Sequence, residues 1–256
     1  FIYSKDEYID FTNKHPEAAS LFRKYMMGKD FIARKPRYCL WLQKIAPDTI
    51  KRYPDIMKRI AAVREFRLNS SKAATRRKAE LPTLFDENQQ PETNFIAIPK
   101  VSSENRRYIP IDFMHPDTVV GDKIYIIENA GLYEFGVMIS NVHMAWMRAV
   151  AGRLKSDYSY SNTIVYNNFP WPTPTPEQKT KIEQTAQGIL DARALYPDSS
   201  LTDLYDQLTM PPELRKAHQE NDRAVMQAYG FDWRKMTESD CVSALMQQYQ
   251  KLTEGK

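Results

Sequence analysis

Apolar residues recur at helical spacing after residue 175, where Ile182, Ala186, Ile189 and Ala192 fall on one face. Thr175 can cap this helix, Pro176 suits its first position, and Gln178 is placed to complete a capping box. Ser200 and Asp203 form a second box-like start. A third helix runs through PPELRKAHQENDRAVMQAYG and stops at Gly230, a natural left-handed cap. Thr237 opens a fourth. The stretch FPWPTPTPEQ before them alternates proline with Thr, Trp and Phe, so its backbone is extended and marks a boundary. Upstream the pattern is mixed. The spacing predicts a helix in EYIDFTNKHPEAASLFRKYMMG, carried through Ala18, Leu21, Phe22 and Tyr25. RYCLWL, FIAIPKV, RRYIPIDF and VVGDKIYIIE read as strands. Residues 50–82 are helical over much of their length, with a break near Asn69–Ser71. LYEFGVMISNVHMAWMRAVAG predicts one amphipathic helix striped by Leu132, Phe135, Ile139, Val142 and Trp146. The expected class is α+β, with a mixed domain over 1–172 and an all-helical unit over 173–256.

Composition adds limits. With 42% hydrophobic and 27% charged residues this is an ordinary globular chain. No run approaches the ~18 apolar residues of a membrane span, and no signal peptide opens the chain, so a cytoplasmic protein without a membrane partner is expected. FIYSKDEYID lacks an initiating Met and opens in mid-pattern, as a fragment would. Cys39 and Cys241 form no CxxC pair and read as buried free thiols. From Thr173 onward 10 Lys and Arg stand against 13 Asp and Glu, whereas the whole chain has 36 against 32. The cationic excess therefore lies in the front part, where an anionic partner would be held.

Self-contained chemistry is not legible. There is no GxGxxG or GxxxxGK loop, no HExxH and no GxSxG elbow. His15, His115, His143 and His218 are scattered, and the carboxylates lie on solvated faces. No catalytic residue and no metal ligand is assigned.

Three stretches favour nucleic acid. In SSKAATRRKAELP, Lys72, Arg76, Arg77 and Lys78 cluster with hydroxyls, the usual phosphate-contacting set, although a solvated basic helix explains this stretch equally well by itself. In PKVSSENRRYIP, polar side chains of different hydrogen-bonding type sit between two apolar runs. Arg can grip guanine, Asn adenine, and Glu can accept from cytosine. An ordinary charged hairpin is the competing reading. In GRLKSDYSYSNTIVYNNFPWP, Arg153 and Lys155 precede Tyr158 and Tyr160, whose hydroxyls suit phosphate and whose rings suit sugar or base. The alternative is that these rings pack on a sheet.

The run FGVMISNVHMAWMRAVAGRLKSDYSYSNTIVYNNFPWP resembles the C-terminal portion of MmeI-like type II restriction–modification DNA methyltransferases. RYCLWL, SSENRRYIPI, ARALYPDSSLTDLYD, MPPELRKAHQENDRAV and AYG resemble the same family, in the same order and over most of the chain. The family joins a nuclease domain, a helical connector, an S-adenosylmethionine-dependent adenine methyltransferase, a target recognition domain and a helical C-terminal piece. No N-P-P-[YF] motif, S-adenosylmethionine site or PD…(D/E)xK set stands here. The resemblance therefore implies only the recognition domain and its tail, reading double-stranded DNA beside a methyltransferase domain of the same polypeptide. S-adenosylmethionine, and Mg for cleavage, would belong to that larger enzyme. On this reading Ser102, Ser103, Glu104, Asn105, Arg106 and Arg107 read bases. Lys72, Arg76, Arg77, Lys78, Arg153, Lys155, Tyr158 and Tyr160 hold the backbone. Two alternatives stay open: a helical adaptor for an acidic protein, and an enzyme with a dispersed active site gathering His143, Asp157 and neighbouring carboxylates.

Overall fold

A computed structural model describes residues 1–87 and 90–254. The chain is α+β and packs as two compact units that interleave in sequence. Among the described residues the first comprises 1–26, 36–87, 90–92 and 116–120, and the second 27–35, 93–115 and 121–254.

In the first unit, Ile2–Tyr3, Arg37–Leu40, Phe22–Met26 and Thr118–Val120 form a four-stranded sheet in that order. Cys39 lies between Ile2 and Arg23 in antiparallel register, and Thr118 aligns in parallel with Lys24. The helices Lys5–Lys14 and Pro54–Leu68 contribute Phe11, Ile56 and Ile60 to a core that also holds Tyr3, Phe22 and Leu40. The helix expected through Tyr25 ends instead at Lys14. Pro16 has no N–H to continue the ladder, so the chain tightens into a 3₁₀ turn over Pro16–Leu21 and then extends. Phe22 and Tyr25 are buried from a strand, not from a helix face.

The second unit has a three-stranded antiparallel sheet, Asp112–Met114, Phe95–Pro99 and Ile124–Glu128 in that order. Every residue of its central strand is buried, which explains the unbroken apolar run FIAIP. The expected strand RRYIPIDF reduces to Asp112–Met114. A further three-stranded sheet joins Val101–Ser102, Asp157–Ser159 and Gly152–Leu154.

The single helix expected over residues 132–150 is two, Leu132–Met138 and Asn141–Val150. The Ser140 hydroxyl donates to the Val137 carbonyl at 2.7 Å and accepts from the His143 N–H at 3.3 Å, closing one helix and capping the next. The tail helices Pro176–Ala194, Leu201–Leu204 and Glu238–Thr253 start where Thr175, Ser200 and Thr237 predict, and Pro212–Ala228 starts after Pro211 without a side-chain cap. Gly230 adopts φ 73° just after Pro212–Ala228. Helix Leu132–Met138 packs against Pro176–Ala194 at Gly136, where a Cβ would come within 2.7 Å of Ile182 Cγ2. The tail is thus continuous in packing with the strands and helices of residues 93–115 and 121–172. Among the described residues no helix is long and apolar enough to cross a membrane.

Candidate nucleic-acid interface

Strand register decides which polar stretches meet. Ser102 pairs with Tyr158, and Val101 with Ser159, so the chain leaves the sheet at Ser103 on the side where Asp157 enters it. Asp157 in turn faces Leu154 across a hairpin whose tip is Lys155 and Ser156. The loop 103–107 and the hairpin tip therefore emerge from one end of the same sheet. Side chains confirm it: the Glu104 N–H donates to Asp157 at 3.4 Å, and Arg153 lies 3.8 Å from the Glu104 carboxylate.

Both ends of the 103–107 loop are anchored. Ser102 is 2% exposed, and Tyr108, at 1%, is stacked on the His218 ring with centroids 4.0 Å apart. The Tyr108 hydroxyl donates to Asp222 at 2.6 Å, and the second Asp222 oxygen accepts from the Asn141 N–H at 2.8 Å. Arg148 donates to the Arg107 carbonyl at 2.9 Å while pairing with Glu238 at 3.1 Å. Between these anchors Glu104, Asn105 and Arg107 are exposed, and Ser103 and Arg106 are half-buried. Burial pulls the Arg106 pKa down, and Asp157 and Asp206 act against that pull. A polar loop so held has lost its conformational freedom before any ligand arrives, which is what specific recognition requires.

Two expectations change. Tyr158 and Tyr160 are 7% and 3% exposed, so neither offers a ring or hydroxyl to a ligand. Tyr158 lies beneath the Arg153 guanidinium, 3.8 Å from its ring centroid, and the Tyr160 hydroxyl meets His143 Nε2 at 3.2 Å. Ser102 is likewise closed off by its strand. These three support the surface from beneath. Arg153 and Lys155 are exposed, and Lys155 takes φ 57°, a left-handed conformation that a lysine adopts at some cost.

The cluster Lys72, Arg76, Arg77 and Lys78 belongs to the first unit, on a short helix Ala73–Arg77 and the turn after it. Arg76 donates to the Ser70 and Ser71 carbonyls, and Lys78 pairs with Asp86 at 2.7 Å. Among the described residues Lys72 and Arg77 have no ion-pair partner, and both are exposed. Arg67, buried at 7% exposure, holds this segment by donating to the carbonyls of Lys78, Leu81 and Leu84. Arg67→Ala is expected to lower the stability of this unit by ~1.5–3 kcal/mol, measured by urea denaturation, with Arg67→Lys recovering little because it lacks the planar fork.

Sequence reasoning missed Arg148, Asp222 and His218, each essential to the loop's anchoring. Tyr108 and Asp222 are 114 residues apart, and no local signal links them. The dispersed active site finds no support around His143, which is 0% exposed, packed edge-on against Phe169 and held by desolvation at a pKa of about 3. Asp157 is engaged instead with the Glu104 backbone. Among the described residues no three His, Cys, Asp or Glu gather to hold a metal ion. Cys39 and Cys241 are buried and unpaired, their thiols pushed up to about 12 by desolvation.

The chain is 38% identical over 255 residues to DNA methyltransferase A of Bacillus subtilis (strain 168), covering 99% of this chain and 29% of that protein. It superposes with a TM-score of 0.95 and 42% identity on the type IIL restriction–modification enzyme MmeI, solved in complex with DNA, over 99% of this chain and 34% of that one. It therefore spans about a third of the length of these relatives. Residues 1–173 match the MmeI target recognition domain and residues 174–255 the MmeI C-terminal domain. The chain belongs to the family of MmeI target recognition domains, continued into the C-terminal domain of the same family.

Proposed function

We propose that this chain is the sequence-reading module of a restriction–modification enzyme, holding duplex DNA in register for chemistry done elsewhere in the polypeptide. One observation carries the reading. The loop 103–107 presents varied hydrogen-bonding groups from a doubly anchored frame beside a cationic hairpin tip, on a chain this similar to an enzyme solved with DNA. Ser103, Glu104, Asn105, Arg106 and Arg107 are the base-reading set, since direct readout needs donors and acceptors fixed in place. Arg153, Lys155, Lys72, Arg76, Arg77 and Lys78 contact the backbone. Ser102, Tyr158 and Tyr160 shape the platform beneath. The division into a reading part and a helical tail near residue 172 follows the proline-rich break.

The rest of the reading concerns a longer polypeptide. A methyltransferase domain would bind S-adenosylmethionine and modify adenine, after taking the base out of the helix. A nuclease domain would use magnesium, and the enzyme would act in the cytoplasm. No residue of this chain is assigned to either cofactor.

Arg106→Ala in the intact enzyme is expected to relax preference at one base position, with a loss of ~1–3 kcal/mol against the preferred base. Lys155→Ala is expected to weaken all duplexes alike and shallow the log–log salt dependence by about one unit. Methylation and binding assays on a site library, repeated across a salt series, measure both. Unchanged preference in the first variant would remove Arg106 from the readout set. A change of preference in the second, with the salt slope intact, would remove Lys155 from the backbone set.

A further inference from the structure

The tail loop after Leu201–Leu204 carries a feature that the readout assignment does not use. An open cleft of about 270 Å³ is lined by Arg107 and Tyr108 on one side, and by Tyr205, Asp206, Gln207, Met210 and Arg215 of the tail on the other. Arg107 and Arg215 are both exposed. Among the described residues neither guanidinium has a carboxylate within ion-pair distance, while other arginines nearby do: Arg148 pairs with Glu238 and Arg193 with Asp112.

The cleft is also built, not merely open. Its floor is the Tyr108 ring, fixed by Asp222 and His218, and the Arg107 guanidinium lies over that ring at 5.6 Å. The Tyr205 hydroxyl meets His218 Nε2 at 2.8 Å and accepts from Arg193. The one carboxylate of the lining, Asp206, is turned to local use: its Oδ1 accepts from the N–H groups of Leu208 and Thr209 at 2.9 and 3.3 Å. Two guanidiniums against one engaged carboxylate leave the lining cationic. Gln207 adds a neutral polar group to the lining.

We propose that this cleft takes a backbone phosphate of the duplex between Arg107 and Arg215, so that the helical tail grips DNA directly and does not only brace the recognition part. This rests on the DNA-reading proposal and deepens it at two points. Arg215 and Gln207 become DNA contacts that no motif indicated. Arg107 moves from base readout to the backbone, leaving Arg106 as the arginine that reads a base. A phosphodiester suits the site because it carries one diffuse charge, which paired arginines meet with their planar forks.

The test is equilibrium binding of a mixed-sequence duplex to the 256-residue chain across a salt series, since a phosphate contact acts on every sequence. R215A and R107A are each expected to lower the log–log salt slope by ~0.9, the release of one phosphate's counterion. The double variant is expected to lose no more than either single one, because the two share a phosphate. R215K keeps the charge and is expected to retain the slope. Inorganic phosphate added at constant ionic strength is expected to compete no better than sulfate, which separates a duplex site from a free-phosphate site. Arg215 is on the surface, so an unchanged melting curve shows that folding is intact. If the parent chain binds duplex with a steep salt slope and R215A matches it, the cleft proposal fails and the reading module stands. If the parent does not bind duplex even at low salt, both fall.

Discussion

Replacing Asp222 with alanine is expected to cost on the order of 2–5 kcal/mol, because two buried donors then lose their acceptor. The Tyr108 hydroxyl and the Asn141 N–H both point at this carboxylate, at 2.6 and 2.8 Å, and Asp222 itself is 5% exposed. The loss should spread to the reading loop, since Tyr108 is the residue that follows Arg107. Asp222→Asn behaves differently: it retains an acceptor for Asn141 and a group to meet the tyrosine hydroxyl. The pH dependence separates them further. Desolvation raises the Asp222 carboxyl from 3.8 to about 6, with the Tyr108 and Asn141 hydrogen bonds and Arg107 pulling the other way. Between those values the folded chain keeps a proton that the unfolded chain has released. Stability from this group is therefore greatest below pH 3.8, declines as pH rises towards 6 and is level above. The decline amounts to about 3 kcal/mol. Urea denaturation across that window is expected to show it in the parent and not in Asp222→Asn. Equal slopes in the two would mean that Asp222 ionises normally in the fold.

Trp146→Ala is expected to cost ~3–5 kcal/mol, the usual result of deleting a fully buried large side chain. Trp146 is 2% exposed and sits between Phe169, with centroids 6.3 Å apart, and Tyr249 at 5.8 Å. Its indole N–H donates to the Val165 carbonyl at 2.9 Å, inside the π-helical turn Asn162–Tyr166. One side chain thus ties helix Asn141–Val150 to the turn after the hairpin and to the last tail helix. Trp146→Phe should divide the effect. It keeps much of the apolar bulk and leaves Val165 without its donor, at a cost of ~1–3 kcal/mol. Thermal melting of the two variants gives the magnitudes. Faster amide exchange at the N–H groups of Val165–Asn167 in both would locate the loss in that turn. A loss confined to the tail helix would show that the indole hydrogen bond contributes little.

The two residues differ in how visible they were. Trp146 stood on an apolar stripe and was expected inside. Asp222 looked like one of many carboxylates on a solvated helix face, and only its place opposite Tyr108 makes it structural. The tail helices were legible because Thr175, Ser200 and Thr237 carry their own caps, which act within three residues. The strand Phe22–Met26 was not, because its burial pattern also satisfies a helix, and the choice was made by pairing with Arg37–Leu40 and Thr118–Val120. Ser140 could be read as a helix cap only once the Val137 carbonyl was seen to turn towards it.

By itself the sequence determined the class of the chain, its cationic front, its capped tail helices and the polar stretches worth testing. These depend on composition and on contacts between near neighbours. Tertiary structure alone decided that the 103–107 loop and the Lys155 tip share one end of a sheet, while Tyr158 and Tyr160 turn inward. It also decided that residues more than a hundred positions downstream hold the loop in place. Strand register and buried hydrogen bonds join distant parts of a chain, and no local pattern of residue types encodes which distant partner will arrive.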